Sequence, residues 1–71
     1  MRIFFRDDNG TMVAMECTSI SAVRDGERYA VVATESGKDT GTIIRANQPK
    51  VVAEEMVYKL WLYGTTGEID P

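Results

Sequence analysis

Histidine is absent from the 71 residues, and Cys17 is the only cysteine. One cysteine cannot close a disulfide within the chain, and one cysteine without histidine is too few ligands for a zinc site. Acid–base catalysis would have to use carboxylates, tyrosine or lysine. The neighbouring acids Glu54 and Glu55 would point about 100° apart on a helix and do not converge. We therefore predict that the protein is not an enzyme and needs no metal or cofactor.

Long apolar runs are also absent. No segment approaches the roughly 18 apolar residues that mark a membrane-spanning helix, and the opening MRIFFR lacks a secretory pattern. We therefore expect a cytoplasmic protein with a reduced cysteine and no membrane partner. The net charge of −3 argues against nucleic-acid binding over the whole surface.

The small size of the chain limits its stability, because a domain of this length buries only about 60% of its unfolded surface. Small domains often add disulfides, a metal or self-association. Since the first two are excluded, tight packing or a homo-oligomer remains. With no repeat or linker, the sequence predicts a single domain at 1–64 and a flexible tail at 65–71.

Short β-like runs separated by turn residues precede one helical segment. This order predicts an α+β fold, an antiparallel four-stranded β-meander with one C-terminal helix packed on one face. In the first hairpin, a two-residue Asn9-Gly10 turn mixes apolar and charged residues on one face. A three-residue loop that ends at Gly10 separates them and is favoured. It places Ile3 opposite Met15, Phe5 opposite Val13 and Arg2 opposite Glu16.

The second and third turns extend the meander. Asp25-Gly26 suits a two-residue turn, which pairs Ala22 with Tyr29 and Ile20 with Val31. The inward alternation does not continue from the first hairpin, so we expect the second strand to be bent or bulged near Thr18-Ser19. The third turn, SGKD, pairs Val31 with Ile44 and Ala33 with Thr42.

The helix should begin near Pro49, with Asn47 as a cap, and end at Gly64. Its core stripe is Val52, Ala53, Met56, Val57, Leu60 and Tyr63, with Trp61 at the edge. Nearly opposite lie Val51, Tyr58 and Leu62. Two interpretations stay open for these three residues: ordinary exposed apolar atoms, or an interface with a second subunit or another partner.

The outward face of the sheet combines arginines with an aromatic residue. Such a face can bind an anionic ligand or stack single-stranded bases. Alternatively, the arginine stems cover apolar neighbours and solvate the sheet. The residues of this possible anion-binding face are Arg2, Phe4, Arg6, Arg28 and Arg45.

Three segments carry a resemblance in layout: MRIFFRDDNGTMV, RYAVVATESGKDTGTII and VVAEEMVYKLWLYG. Together they resemble small accessory proteins of unknown function from phages and prophages of Gram-positive bacteria. The resemblance implies a binding role in the host cytoplasm, such as inhibiting a defence protein or capturing its small-molecule signal. The strand order also resembles dimeric single-stranded DNA-binding transcription cofactors, although the negative charge departs from their basic character.

The sequence favours a non-enzymatic interaction module that self-associates and binds or sequesters a partner. That partner would be a protein or an anionic small molecule. The alternative is a single-stranded nucleic-acid-binding protein that uses the arginine-rich sheet face. A structural component of a larger assembly is a third possibility.

Overall fold

The computed structural model describes residues 1–66 as a curled four-stranded sheet with one helix packed against it. The strands are β1 (Arg2–Arg6), β2 (Met12–Asp25), β3 (Arg28–Glu35) and β4 (Gly41–Gln48), followed by α1 (Lys50–Tyr63). The strands lie in the order β1-β2-β3-β4, and each neighbouring pair is antiparallel. The predicted α+β meander is confirmed.

The first hairpin has the predicted three-residue loop. Ile3 lies opposite Met15, and Arg2 lies opposite Glu16. The Asp7 amide donates to the Thr11 carbonyl at 3.0 Å, which closes the loop. Gly10 has a φ of 78°, the left-handed conformation expected for a bulged turn of this length.

The second hairpin differs from the prediction by two residues. Asp25 pairs with Arg28, so the turn is Gly26-Glu27, and Gly26 has a φ of 66°. Glycine with positive φ in the first turn position is typical of a type II′ turn, whereas the predicted turn had placed Gly26 second. Because a shift of two residues preserves the alternation of faces, the inward residues are still the predicted ones.

Three register shifts shape the rest of the sheet. The predicted irregularity in β2 is confirmed, since the β2–β3 register shifts between Cys17 and Ser19. Two irregularities in β4 were not predicted: one opposite Val31 and Val32, which we call the β4 bulge, and one opposite Tyr29 and Val31. Ala33 lies opposite Thr42 as expected, but Val31 lies opposite Arg45 rather than Ile44. An extra residue in one strand turns the following side chains and bends the strand.

The ends of α1 follow the prediction only in part. Pro49 is the N-cap, without a side-chain hydrogen bond, so the prediction of Asn47 as the cap was wrong. Asn47 instead has a left-handed φ of 58°. Gly64 is the predicted C-terminal residue, with a φ of 72° and an amide that donates to the Leu60 carbonyl at 3.0 Å.

The helix packs on the concave face of the sheet and mainly contacts β2 and β3. Ala53 and Leu60 are its fully buried residues, and Met56 and Val57 pack beside them. Tyr63, predicted in the core stripe, is 71% exposed. Tyr63 lies at the same angle around the helix as the core stripe, but it is the last helical residue. The buried cluster is Ile3, Phe5, Cys17, Ile20, Val31, Ala33, Ile44, Ala53 and Leu60.

The chain after the helix returns to the first strand. The Phe4 amide donates to the Gly64 carbonyl at 2.7 Å. Thr65 forms a parallel bridge with Phe4, and Thr66 is buried. Of the predicted flexible tail at 65–71, these two threonines therefore contact the domain, and residues 67–71 lie outside the described part of the chain.

Candidate functional site

The outer helix stripe consists of Val51, Tyr58 and Leu62, on the side of α1 that faces away from the sheet. These residues are 72%, 63% and 54% exposed. Leu62 lies one turn after Tyr58, and Val51 lies two turns before it, so the three form one line. Trp61 flanks the line and is also exposed. Because all three residues lie within α1, they share one face of the helix, as the sequence predicts.

Charged residues border the outer helix stripe. Lys59 Nζ lies 3.2 Å from Glu55 Oε1, one turn away, and both side chains are substantially exposed. Glu54 is exposed on the other side of the stripe, about 100° from Glu55 around the helix. An apolar line with a charged border is a common composition for a surface that contacts another protein.

The edge of β1 is covered by the chain that follows the helix. Gly64 and Thr65 pair with Phe4 there, as described above. The backbone of β4 is protected differently, because side chains donate to its carbonyls. Arg45 Nη1 donates to Ile44 O at 2.7 Å, and Gln48 Nε2 donates to Ala46 O at 2.9 Å. Bare strand edges favour pairing with another sheet, so these contacts disfavour edge-to-edge assembly.

The predicted anion-binding face is divided by the curl and length of the sheet. Arg2, Phe4 and Arg6 alternate along β1 on its outer side, and Phe4 is 40% exposed. Arg6 lies opposite Met12, the first residue of β2, whereas Arg28 lies opposite the last, Asp25. The structure therefore brings together the three β1 residues and leaves Arg28 at the other end of β2.

The arginines of this face make hydrogen bonds within the chain. Arg2 Nε donates to Glu16 Oε1, and Arg6 Nη1 donates to Gly10 O, both at 2.8 Å. Arg28 Nη2 donates to Asn47 O at 3.1 Å. Each of these guanidinium groups therefore already uses at least one of its N–H donors within the chain.

Arg45 occupies a different place from the other arginines. The β4 bulge sets it opposite the buried Val31, and its side chain is half-buried. Arg45 Nη1 donates to Arg6 O at 2.5 Å, so it links the two outermost strands of the curled sheet. The sequence had placed Arg45 among outward residues because simple alternation contains no bulge.

A cavity that sequence reasoning missed lies between the first hairpin and the end of the sheet formed by β3 and β4. Its volume is about 340 Å³. We call it the hairpin cavity. The alternation in the first hairpin predicts that Phe5, Val13 and Met15 face inward, and these residues form part of the floor of the cavity. No sequence pattern shows which inward residues the helix leaves uncovered. Its lining residues are Phe5, Asp7, Asp8, Val13, Met15, Glu35, Thr42, Ile43 and Ile44.

The cysteine lies in the core, and the described residues contain no group of side chains that could hold a metal ion. Cys17 is buried, and burial raises the pKa of its thiol, with Glu16 adding to the rise and the N-terminal ammonium opposing it. Within residues 1–66, no three His, Cys, Asp or Glu side chains are grouped to hold a metal ion. No helix in this part of the chain has the length and hydropathy needed to cross a membrane.

No family model matches the chain, and neither the curated proteins nor the solved structures gave a match.

Proposed function

We propose that the protein is a non-enzymatic binding module that self-associates through the outer helix stripe. The exposure of Val51, Tyr58 and Leu62 carries this proposal. A chain of 71 residues has little core to spare, and yet these three large apolar side chains lie outside it. Pairing the stripe with a second copy would remove it from water.

The protection of the strand edges supports the helix as the contact surface. Side chains bond to carbonyls of β4, and the chain after the helix covers part of the β1 edge. These contacts disfavour assembly through the sheet edges. A symmetric dimer uses the same patch on both subunits, and the line on α1 is a patch that can meet its own copy.

The self-associated module would act by binding or sequestering a partner. We take the partner to be a protein, such as a host defence protein, or an anionic small molecule, which is what the resemblance in layout to phage accessory proteins implies. In this proposal the sheet face and the hairpin cavity of each subunit remain for that partner, because the outer helix stripe is used between copies.

A second candidate function is binding of single-stranded nucleic acid. One observation favours it: Phe4 is exposed between Arg2 and Arg6 on the outer side of β1. Bases stack on exposed aromatics, and flanking cations attract the phosphates. Self-association and nucleic-acid binding differ in their dependence on salt, which gives a direct way to separate them.

Sedimentation equilibrium tests the proposed self-association. We expect the wild-type chain to exceed monomer mass at tens of micromolar, and Tyr58→Ala with Leu62→Ala to shift it towards the monomer. Each truncation should weaken association by more than about 1 kcal/mol, since large apolar anchors carry most interface energy. The melting temperature should also rise with protein concentration for the wild type, and should not do so for the Tyr58/Leu62 variant.

Two control pairs make this experiment specific. Val23→Ala with Ile43→Ala removes comparable exposed apolar surface from the sheet and should leave the mass unchanged. Met56→Ala with Leu60→Ala alters the core and should lower the melting temperature directly. A wild-type protein that stays monomeric, or a Tyr58/Leu62 variant with unchanged mass, contradicts the proposal.

A further inference from the structure

The hairpin cavity is a concave site at the end of the sheet that α1 does not cover. No α1 residue is among its lining residues. Its floor is apolar: Phe5 and Ile44 belong to the buried cluster, and Val13 and Met15 are only half-buried beside them. Inward-facing apolar side chains therefore remain accessible here, although the same face is covered by the helix elsewhere.

The charged lining residues of the cavity are all acidic. Asp7 and Asp8 come from the loop between β1 and β2, and Glu35 comes from the end of β3. Asp7 Oδ1 accepts the amides of Asn9 and Thr11 at 3.0 and 2.9 Å, which fixes the loop. Asp8, the next residue of the loop, is exposed. The acids come from two separate elements and border one apolar floor.

We infer that the hairpin cavity binds a small organic cation with an apolar body, such as an arylalkyl amine. The apolar floor matches the body, and the acidic border matches an ammonium group. Small-molecule sites are concave and mostly apolar, contain a few polar groups, and have volumes of about 300–1,000 Å³. The cavity lies at the lower end of that range, which fits a small molecule better than an extended peptide.

This inference goes beyond the proposed function. It assigns the cavity a ligand of the opposite charge to the anionic class predicted from the arginines. It does not depend on self-association, because the cavity and the outer helix stripe share no residue.

Three probes with the same body separate charge from hydrophobicity: 4-phenylbutylamine, 4-phenylbutanol and 4-phenylbutyrate. Titration followed by amide chemical shifts should show the amine binding more tightly than the alcohol, and the acid more weakly than both. The shifts should be centred on the first hairpin and on Glu35, Thr42 and Ile43. Equal affinities for the three probes, no binding of the amine at millimolar concentration, or shifts centred on another surface would overturn the inference.

Matched variants test the acidic border. Asp8→Asn with Glu35→Gln should weaken binding of the amine about two- to fivefold, because each exposed charge pair contributes little. Glu54→Gln with Glu55→Gln removes the same charge from α1 and should leave the affinity unchanged. The controls are closely matched, since Glu55 pairs with Lys59 just as Glu35 pairs with Lys38. Equal losses in both variants would overturn a specific role for the border.

A third variant tests the floor. Val13→Phe adds volume at the cavity and should abolish binding of the amine, with folding checked by circular dichroism. Full binding by a folded Val13→Phe protein would overturn the location of the site. A blocked peptide containing Lys and Phe serves as the last probe. If it binds while 4-phenylbutylamine does not, the small-molecule assignment is wrong and the cavity takes a peptide instead.

Discussion

At the residue scale, Cys17 shows how burial changes the chemistry of a thiol. Its side chain is 1% exposed and belongs to the buried cluster. The N-terminal ammonium donates to its carbonyl at 2.8 Å. Loss of hydration disfavours the thiolate, so the pKa of the thiol is raised. The residue acts as a small apolar side chain in the core.

The raised pKa of Cys17 predicts a dependence of stability on pH. Above about pH 8.5 the unfolded thiol ionises, whereas the folded thiol stays protonated. The free energy of unfolding should therefore fall as pH rises through this range. Cys17→Ala should cost on the order of 1 kcal/mol at pH 7 and should lack this part of the pH dependence. Urea unfolding of both proteins between neutral and alkaline pH measures the difference.

Thiol reactivity supplies the control for this prediction. At neutral pH the thiol should react with Ellman's reagent far more slowly in the folded protein than in urea. Equal rates would contradict its burial.

At the element scale, the end of α1 is closely fitted to β1. Gly64 ends the helix, and its carbonyl accepts the Phe4 amide. A Cβ added at Gly64 would lie 3.1 Å from the Arg2 carbonyl oxygen. Gly10 also has a positive φ, but a Cβ added there would have no neighbour within 4 Å. Substituting either glycine would strain the backbone, because both have a positive φ. Only at Gly64 would the added methyl group also meet a close neighbour.

This difference predicts unequal costs for the same substitution. Gly10→Ala should destabilise the protein by about 1 kcal/mol through the left-handed conformation alone. Gly64→Ala should cost about 1 kcal/mol more, because the added methyl group also crowds β1. Urea unfolding of the two variants measures the difference. Equal costs would show that the helix end moves away from β1 without loss.

At the scale of the whole molecule, the charge distribution favours apolar contact through α1 over binding of nucleic acid. The chain carries a net charge of −3, and the arginines on the outer side of the sheet bond within the protein. A phosphate backbone would have to displace some of these bonds and approach an acidic molecule. Apolar contact through the outer helix stripe meets neither obstacle.

We therefore expect no measurable binding of oligo(dT) at about 0.15 M salt, where exposed charges are screened beyond roughly 8 Å. Fluorescence anisotropy over a salt series measures this directly. Tight binding that weakens steeply with salt would favour the nucleic-acid function instead. In that case Arg2→Gln with Arg6→Gln should weaken binding of oligo(dT). Arg24 is an exposed arginine near the second turn, and Arg24→Gln should have a smaller effect.

The sequence by itself determined the element order, the first hairpin and the faces of the strand residues other than Arg45. These follow from local alternation and turn residues: Gly10 fixed one register, and the mismatch before Ile20 required the bulge in β2. The three residues of the outer helix stripe were placed by helical periodicity alone, which is also a local property.

Only the tertiary structure decided how these elements contact one another and which part of the sheet the helix covers. The bulge in β4 moved Arg45 to the opening between β1 and β4, where it bonds to Arg6, and no pattern in GTIIRANQ requires that bulge. Tyr63 fitted the helical stripe but extends past the surface that buries it. The hairpin cavity exists because α1 covers part of the curled sheet and leaves the rest. Coverage depends on distances between elements that are remote in sequence, and local periodicity carries no information about those distances.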